Sequence, residues 1–166
     1  MTDDLDPIAE AKEQWRSHGW ADAADGMEMV TSLVRVHQLF DERIDAVLRP
    51  LGLTFARYEV LRLLAFTRRG SMPMTRLGSL LQVHPASVTS AVDRLEAQGY
   101  AARERAEHDR RVVRAAITEA GRDVVERATA GLNHEMFAVP GISPGDVASL
   151  TAALTAYRRW AGDIKG

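Results

Sequence analysis

Apolar residues at Met27, Val30, Val34, Ile44, Val47, Leu48 and Leu51, with His37 among them, recur mostly three or four positions apart, the period of one helix face. After a polar lead, this predicts a helix of about 25 residues that stops near Pro50 and Gly52. Thr54 is the expected N-cap of a second helix, with Tyr58, Leu61, Leu64 and Ala65 on one face and the Gly70 to Pro73 stretch as its end. A short helix over Thr75 to Gln82 follows, carrying Leu77 and Leu81 on one side. In VHPASVTSAVDRLEAQGY, Pro85 takes the first helical position, Val88, Val92 and Leu95 form the buried stripe, and Gly99 closes the helix. The opposite face carries Ser87, Ser90, Ala91 and Arg94, with Thr89 beside it. A solvated face would normally carry Lys and Glu; these smaller side chains leave room for a close partner.

YAARERAEHDRRVVRAAIT reads as two short strands joined by a turn at Glu107 to Arg110, with Tyr100, Ala102, Val112 and Ala116 directed inward. Thr118 caps a helix that runs to about Phe137, with Val124, Val125, Ala128, Leu132 and Met136 apolar. Ser143, Pro144 and Asp146 form a capping box for a last helix bearing Val147, Leu150, Leu154, Tyr157 and Trp160. The fold class is therefore mainly α with a small β wing. Two short helices with a tight turn, then a basic two-stranded ribbon, make a winged helix-turn-helix over residues 53–118.

Charge gives this arrangement a direction. Between Arg57 and Arg127, thirteen arginines face nine acids, a surplus of four, while the remaining residues carry a deficit of six, so the net charge of −2 hides a basic middle. That distribution suits contact with a polyanion, although a solvated surface with a chance imbalance would look the same. The recognition helix fits a major groove, where the Ser hydroxyls can meet base edges and the methyl of Thr89 or Ala86 a thymine methyl. Arg110 or Arg111 at the ribbon tip can enter a minor groove, with Asp109 holding the side chain extended, while Arg103, Arg105 and Arg114 line phosphates. The candidate DNA surface is thus His84, Pro85, Ala86, Ser87, Thr89, Ser90, Arg94, Arg103, Arg105, Asp109, Arg110, Arg111 and Arg114. The competing reading is an ordinary exposed hairpin, or a winged helix that serves as a protein-interaction module; the latter would favour exposed aromatics over arginines.

Other functions find little support. The 166 residues contain no Cys, which suits the cytoplasm, and no apolar run approaches the roughly 20 residues of a membrane span. No phosphate-binding glycine loop, H-E-x-x-H motif or nucleophile with its base is present, so neither an enzyme nor a cofactor is expected. His18, His37, His84, His108 and His134 lack metal-ligand spacing; His108, between Glu107 and Asp109, suits a DNA-facing tip better than a metal site.

DRRVVRAAITEAG matches a family pattern, D-x-R, five residues, an aliphatic residue, Thr, two residues and Gly, at Asp109, Arg111, Ile117, Thr118 and Gly121. With VTSAVDRLEAQGY, it resembles the MarR family of transcriptional regulators over roughly Met27 to Trp160. The resemblance implies a homodimeric repressor that binds a pseudopalindromic site in double-stranded DNA and is released by a small, often aromatic or anionic, effector. It divides the chain into an N-terminal extension (1–25), a dimerisation helix (26–52), the winged domain (53–118) and C-terminal dimerisation helices (119–166). Phe40, Tyr157 and Trp160 lie outside what a minimal winged helix needs for its core, which also suits pairing, or packing within the chain. Effector candidates are Trp15, His37, Arg57, Tyr58 and Glu59. His37 on an apolar stripe equally suits a core histidine. Trp15 and Arg16 resemble the N-terminal helix of the urate-responsive PecS branch; Glu59 stands where that branch has Asp, and Ala91 where it has Arg. Trp15 and Trp20 would alternatively pin the extension to the body of the protein.

Overall fold

A computed structural model of the chain describes residues 6–105 and 112–164. Their contacts divide into two compact units, Met1–Ala46 and Val47–Gly166. In the first, the polar lead is itself a helix, α1 (Pro7–Ser17): Asp6 accepts a hydrogen bond from the Ile8 amide at 2.9 Å and Pro7 occupies the first turn. Lys12 reaches from it to Glu28 at 2.6 Å and Asp25 at 2.9 Å on α2 (Ala21–Leu48), and the Trp15 and Trp20 rings lie 5.4 Å apart at the connection. Helix α2 begins six residues before the apolar period does, because Ala21, Ala23 and Ala24 favour a helix without supplying a stripe. Met29, Val30, Leu33, Val34 and Phe40 on α2 are exposed. The core-histidine reading of His37 is corrected with them: its side chain is exposed and lies 3.3 Å from Asp41, one turn on.

In the second unit a 3-10 turn, Arg49–Leu51, leads to α3 (Phe55–Phe66), β1 (Ser71–Pro73), α4 (Met74–Leu81), α5 (Pro85–Ala97), β2 (Ala101–Arg105), β3 (Val113–Ile117), α6 (Glu119–Leu132) and α7 (Pro144–Trp160). Helix α6 continues through a π turn, Asn133–Phe137, which buries Met136. The three strands are ordered β1-β3-β2 and all pairing is antiparallel, with Met72 and Arg103 flanking Ala115. Three residues carry too little alternation to announce β1; the Ile117 amide bound to the Gly70 carbonyl at 2.8 Å and the buried Met72 hold it in place.

The core joins Leu61 and Leu64 of α3, Leu77 of α4, Val88, Val92 and Leu95 of α5, and Val124, Val125 and Ala128 of α6, each burial of a large aliphatic side chain favouring the fold by about 1.5–3 kcal/mol. The inward strand residues differ from expectation by one position. Ala101 and Ala115 are buried, whereas Tyr100, Ala102, Val112 and Ala116 are half-buried. Tyr100 still belongs to the helix end, its amide bonding the Leu95 carbonyl at 2.9 Å, so the two-residue alternation starts one residue later and every side chain changes face.

The wing root explains part of the D-x-R…I-T-x-x-G pattern. Gly99 takes φ +74°, a left-handed conformation that turns the chain from α5 into β2. Thr118 donates to the Gly99 carbonyl at 2.7 Å and accepts from the Gly121 amide at 3.0 Å, capping α6 while tying it to that turn. A Cβ on Gly121 would collide with the Tyr100 carbonyl, so only glycine permits this approach. At the far end, Ser143 accepts from the Asp146 amide at 3.2 Å to open α7, which buries none of its residues. Arg158 and Gln82 join α7 to the turn before α5: Gln82 donates to the Asp163 carbonyl at 2.8 Å, and Arg158 reaches both Gln82 at 3.2 Å and Asp163 at 2.6 Å. Among the described residues, no helix is long and apolar enough to cross a membrane.

Candidate nucleic-acid interface

Helix α5 is held from below and left open above. Val88, Val92 and Leu95 fix one side in the core, and the other side exposes Ala86, Ser87, Thr89, Ser90, Asp93 and Arg94, with Ala91 half-buried. His84, expected at a DNA contact, caps the helix: its Nδ1 accepts from the Ala86 amide at 3.2 Å, and Pro85 takes the first helical position. Both remain exposed. The expected face therefore exists as an unobstructed surface of small and hydroxyl-bearing side chains.

The arginines around it behave differently. Arg103, expected against phosphates, is bound to Asp93 at 2.5 Å, Glu96 at 2.7 Å and the Thr89 carbonyl at 3.4 Å. Hydrogen bonding to Asp93, opposed by partial burial and assisted by Glu96, raises its pKa further above the usual guanidinium value. Arg114 is part-buried and bonded to the Ser71 carbonyl at 2.9 Å and its hydroxyl at 3.2 Å, fastening β3 to β1. Arg105 is exposed opposite Val113 at the outer end of the described ribbon. Asp109, Arg110 and Arg111, together with His108, lie outside the described residues. So the structure gives Arg103 and Arg114 internal partners, whereas Arg105 and Arg94 stay open to a ligand.

Trp15 and His37 belong to the first unit, and the adjacent Arg57, Tyr58 and Glu59 point in different directions, since successive residues on a helix diverge by about 100°. Tyr58 is buried and its hydroxyl is 3.1 Å from Thr129 Oγ1. Glu59 is half-buried, and burial pushes its carboxyl above the usual range. Arg57 turns toward α5, where it shares a groove of about 720 Å³ with Thr54, Ala56, Ala86, Ser87, Ser90, Ala91 and Arg94. Sequence reasoning missed this groove, because it forms where the start of α3 meets α5; it also missed Asp93 and Glu96 as partners of Arg103. Their i, i+3 spacing placed both acids on one face, but only the strand register brings Arg103 to them. No cluster of metal-ligating side chains occurs among the described residues.

The family model for the MarR family matches residues 51–112, from the end of the turn before α3 to the residue before β3. The MarR-family regulator Sco5413 of Streptomyces coelicolor is 39% identical, with a TM-score of 0.76 over 86% of this chain and 99% of its own. The chain belongs to the MarR family. This MarR-family protein is also 31% identical to the transcriptional regulator YhbI of Bacillus subtilis (strain 168), over 61% of this chain and 71% of that one. To the regulator PecS of Dickeya dadantii (strain 3937) it is 28% identical, over 72% of this chain and 73% of PecS. As a MarR-family winged helix-turn-helix protein it is a DNA-binding transcriptional regulator and not an enzyme. Helix α5 and the β2–β3 ribbon are the second helix of the helix-turn-helix and the wing of that fold.

Proposed function

We propose that the chain acts as a homodimeric repressor, places two α5 helices on a pseudopalindromic operator and is released by a small aromatic or anionic effector. The observation that carries the reading is the open face of α5, where Ser87, Ser90 and Arg94 stand exposed above a fully packed stripe. Ser and Thr hydroxyls at this face meet base edges, Thr89 or Ala86 meets a thymine methyl, and Arg105, Arg110 and Arg111 follow the wing onto the duplex, with Asp109 orienting the tip. Arg103 and Arg114 act as positioning residues for α5 and the ribbon. Met29, Val30 and Phe40 on α2, and Leu150, Leu154 and Trp160 on α7, leave apolar surface uncovered in the single chain, which supports pairing through the terminal helices. Two-fold pairing would set half-sites about one helical turn apart.

The test is a mobility-shift titration on DNA from upstream of the chain's own gene at 50 and 200 mM salt, with and without aromatic acids and urate. Contact with six or more phosphates should cost on the order of a thousandfold in affinity between those salts. Binding to an inverted repeat that one compound relieves is the expected result. A salt-insensitive or sequence-indifferent complex would refute the operator assignment, and an operator complex that no compound relieves would remove the effector from the reading.

A further inference from the structure

Beside α5, on the side away from the wing, the groove shared with α3 has an unusual lining. It contains two guanidinium groups, Arg57 and Arg94, three hydroxyls, Thr54, Ser87 and Ser90, and no carboxylate. Alanines at 56, 86 and 91 keep it unobstructed. The chain as a whole has more acids than bases, so an uncompensated pair of cations on a recognition face calls for an external anion.

Arg57 is positioned rather than adrift. Its Nη1 donates to Gln98 Oε1 at 3.1 Å and its Nε to Thr54 Oγ1 at 3.2 Å, while Gln98 is itself fixed by donating to the Gly52 carbonyl at 2.8 Å. These partners are neutral. They orient the fork without cancelling its charge, and Nη2 has no partner among the described residues. Arg94 has no side-chain partner among the described residues. A guanidinium held by neutral groups beside a second unpaired one is suited to phosphate oxygens, which accept its parallel N–H donors. The groove is open along its length, so a small free anion would remain largely in water there, whereas a phosphodiester already carried on a duplex need not be enclosed.

We infer that Arg57 and Arg94 seat a DNA backbone phosphate on the flank of α5 opposite the wing, with Gln98 as the positioning residue that aims Arg57. This deepens the DNA-binding reading above and rests on it. Arg57, an effector candidate by sequence, is thereby assigned to nucleic acid.

The experiment is fluorescence anisotropy of the full chain on an operator duplex and a scrambled duplex across 50–300 mM salt, for the wild type, Arg57→Gln, Arg94→Gln and Gln98→Ala. In the homodimer each substitution is present twice, so two lost phosphate contacts should lower the magnitude of the salt slope by about 1.8 and the affinity about thirtyfold at 0.15 M salt. Arg57→Gln should do this equally on both duplexes, the mark of a backbone contact. Gln98→Ala keeps the charge, so it should weaken binding two- to threefold with the slope retained. Circular dichroism confirms that each variant is folded, and calorimetric titration with inorganic phosphate at fixed ionic strength should show no saturable binding. Wild-type binding with unchanged affinity and slope in both Arg57→Gln and Arg94→Gln would overturn the phosphate seat and leave the DNA-binding reading standing. Saturable phosphate binding abolished by Arg57→Gln without loss of DNA affinity would reassign the groove to a free anion. A wild-type chain that binds neither duplex would overturn both readings.

Discussion

On the wing side of α5, Arg103 gives its guanidinium to two carboxylates and a carbonyl; on the α3 side, Arg57 is held by a glutamine and a threonine, and Arg94 by nothing among the described residues. Formal charge runs opposite to what counting arginines suggests. Arg103 with Asp93 and Glu96 sums to −1, whereas Arg57 with Arg94 sums to +2. Arg103 sets the angle between ribbon and helix, whereas Arg57 and Arg94 keep their charge for whatever approaches. An arginine becomes a candidate ligand contact through the neutrality of its neighbours, and only tertiary structure reveals those neighbours.

The harshest way to break this comparison is to displace the wing side altogether. Gly121→Ala forces a Cβ into the Tyr100 carbonyl at the root of β2, where neither backbone can yield cheaply. We expect a loss of about 2 kcal/mol, a fall in Tm of about 4–8 °C by calorimetry, together with weakened operator binding. Wild-type stability in this variant would mean that the wing root repacks freely and does not fix the ribbon.

Arg103→Ala is the next test, because it leaves the backbone in place and uncovers Asp93 and Glu96 beside the exposed face of α5. Surface ion pairs contribute only about 0.2–1 kcal/mol, so stability should change little. Operator affinity should fall about tenfold at 0.1 M salt, where exposed charges within about 10 Å still interact. Adding Asp93→Asn should recover part of that loss in the same titration. If the double variant binds no better than Arg103→Ala, repulsion by the uncovered carboxylate is not the cause, and the geometry of the ribbon is.

Most of the fold was legible because each element repeated a local rule. The stripe at Val88, Val92 and Leu95 announced α5, Thr54, Thr118 and Ser143 announced helix starts, and the I-T-x-x-G segment announced the wing root. What escaped depended on contacts between elements. β1 exists only because β3 lies beside it, and the strand phase was set by Tyr100 belonging to the end of α5. His37 looked internal because a stripe was assumed to face its own chain's core, whereas that half of α2 is exposed. In the site, the face of α5 was readable from its small residues. The roles of Arg57, Arg103 and Arg114 were not, since Gln98, Asp93 and Ser71 reach them across 41, 10 and 43 positions of chain.

Carboxylates offer the gentlest sharpening of the same contrast. Asp93 and Glu96 on the wing side are paired with Arg103, but Glu59 on α3 is half-buried and has no hydrogen-bond or ion-pair partner among the described residues. Burial raises its folded-state pKa above the unfolded value, so the folded protein holds this proton more tightly. The corresponding stability is fully present below the unfolded pKa, near 4.3, and is lost as pH rises through the raised folded value. Glu59→Gln removes the charge and keeps the shape, so it should raise Tm by about 1 °C at pH 7 and by nothing below about pH 4. Its DNA affinity should stay within twofold of wild type, because Glu59 does not line the groove that Arg57 shares with α5. A Tm gain that persists at pH 3.5 would trace the effect to amide packing instead of charge, and a large change in affinity would place Glu59 within the electrostatic reach of that cationic flank.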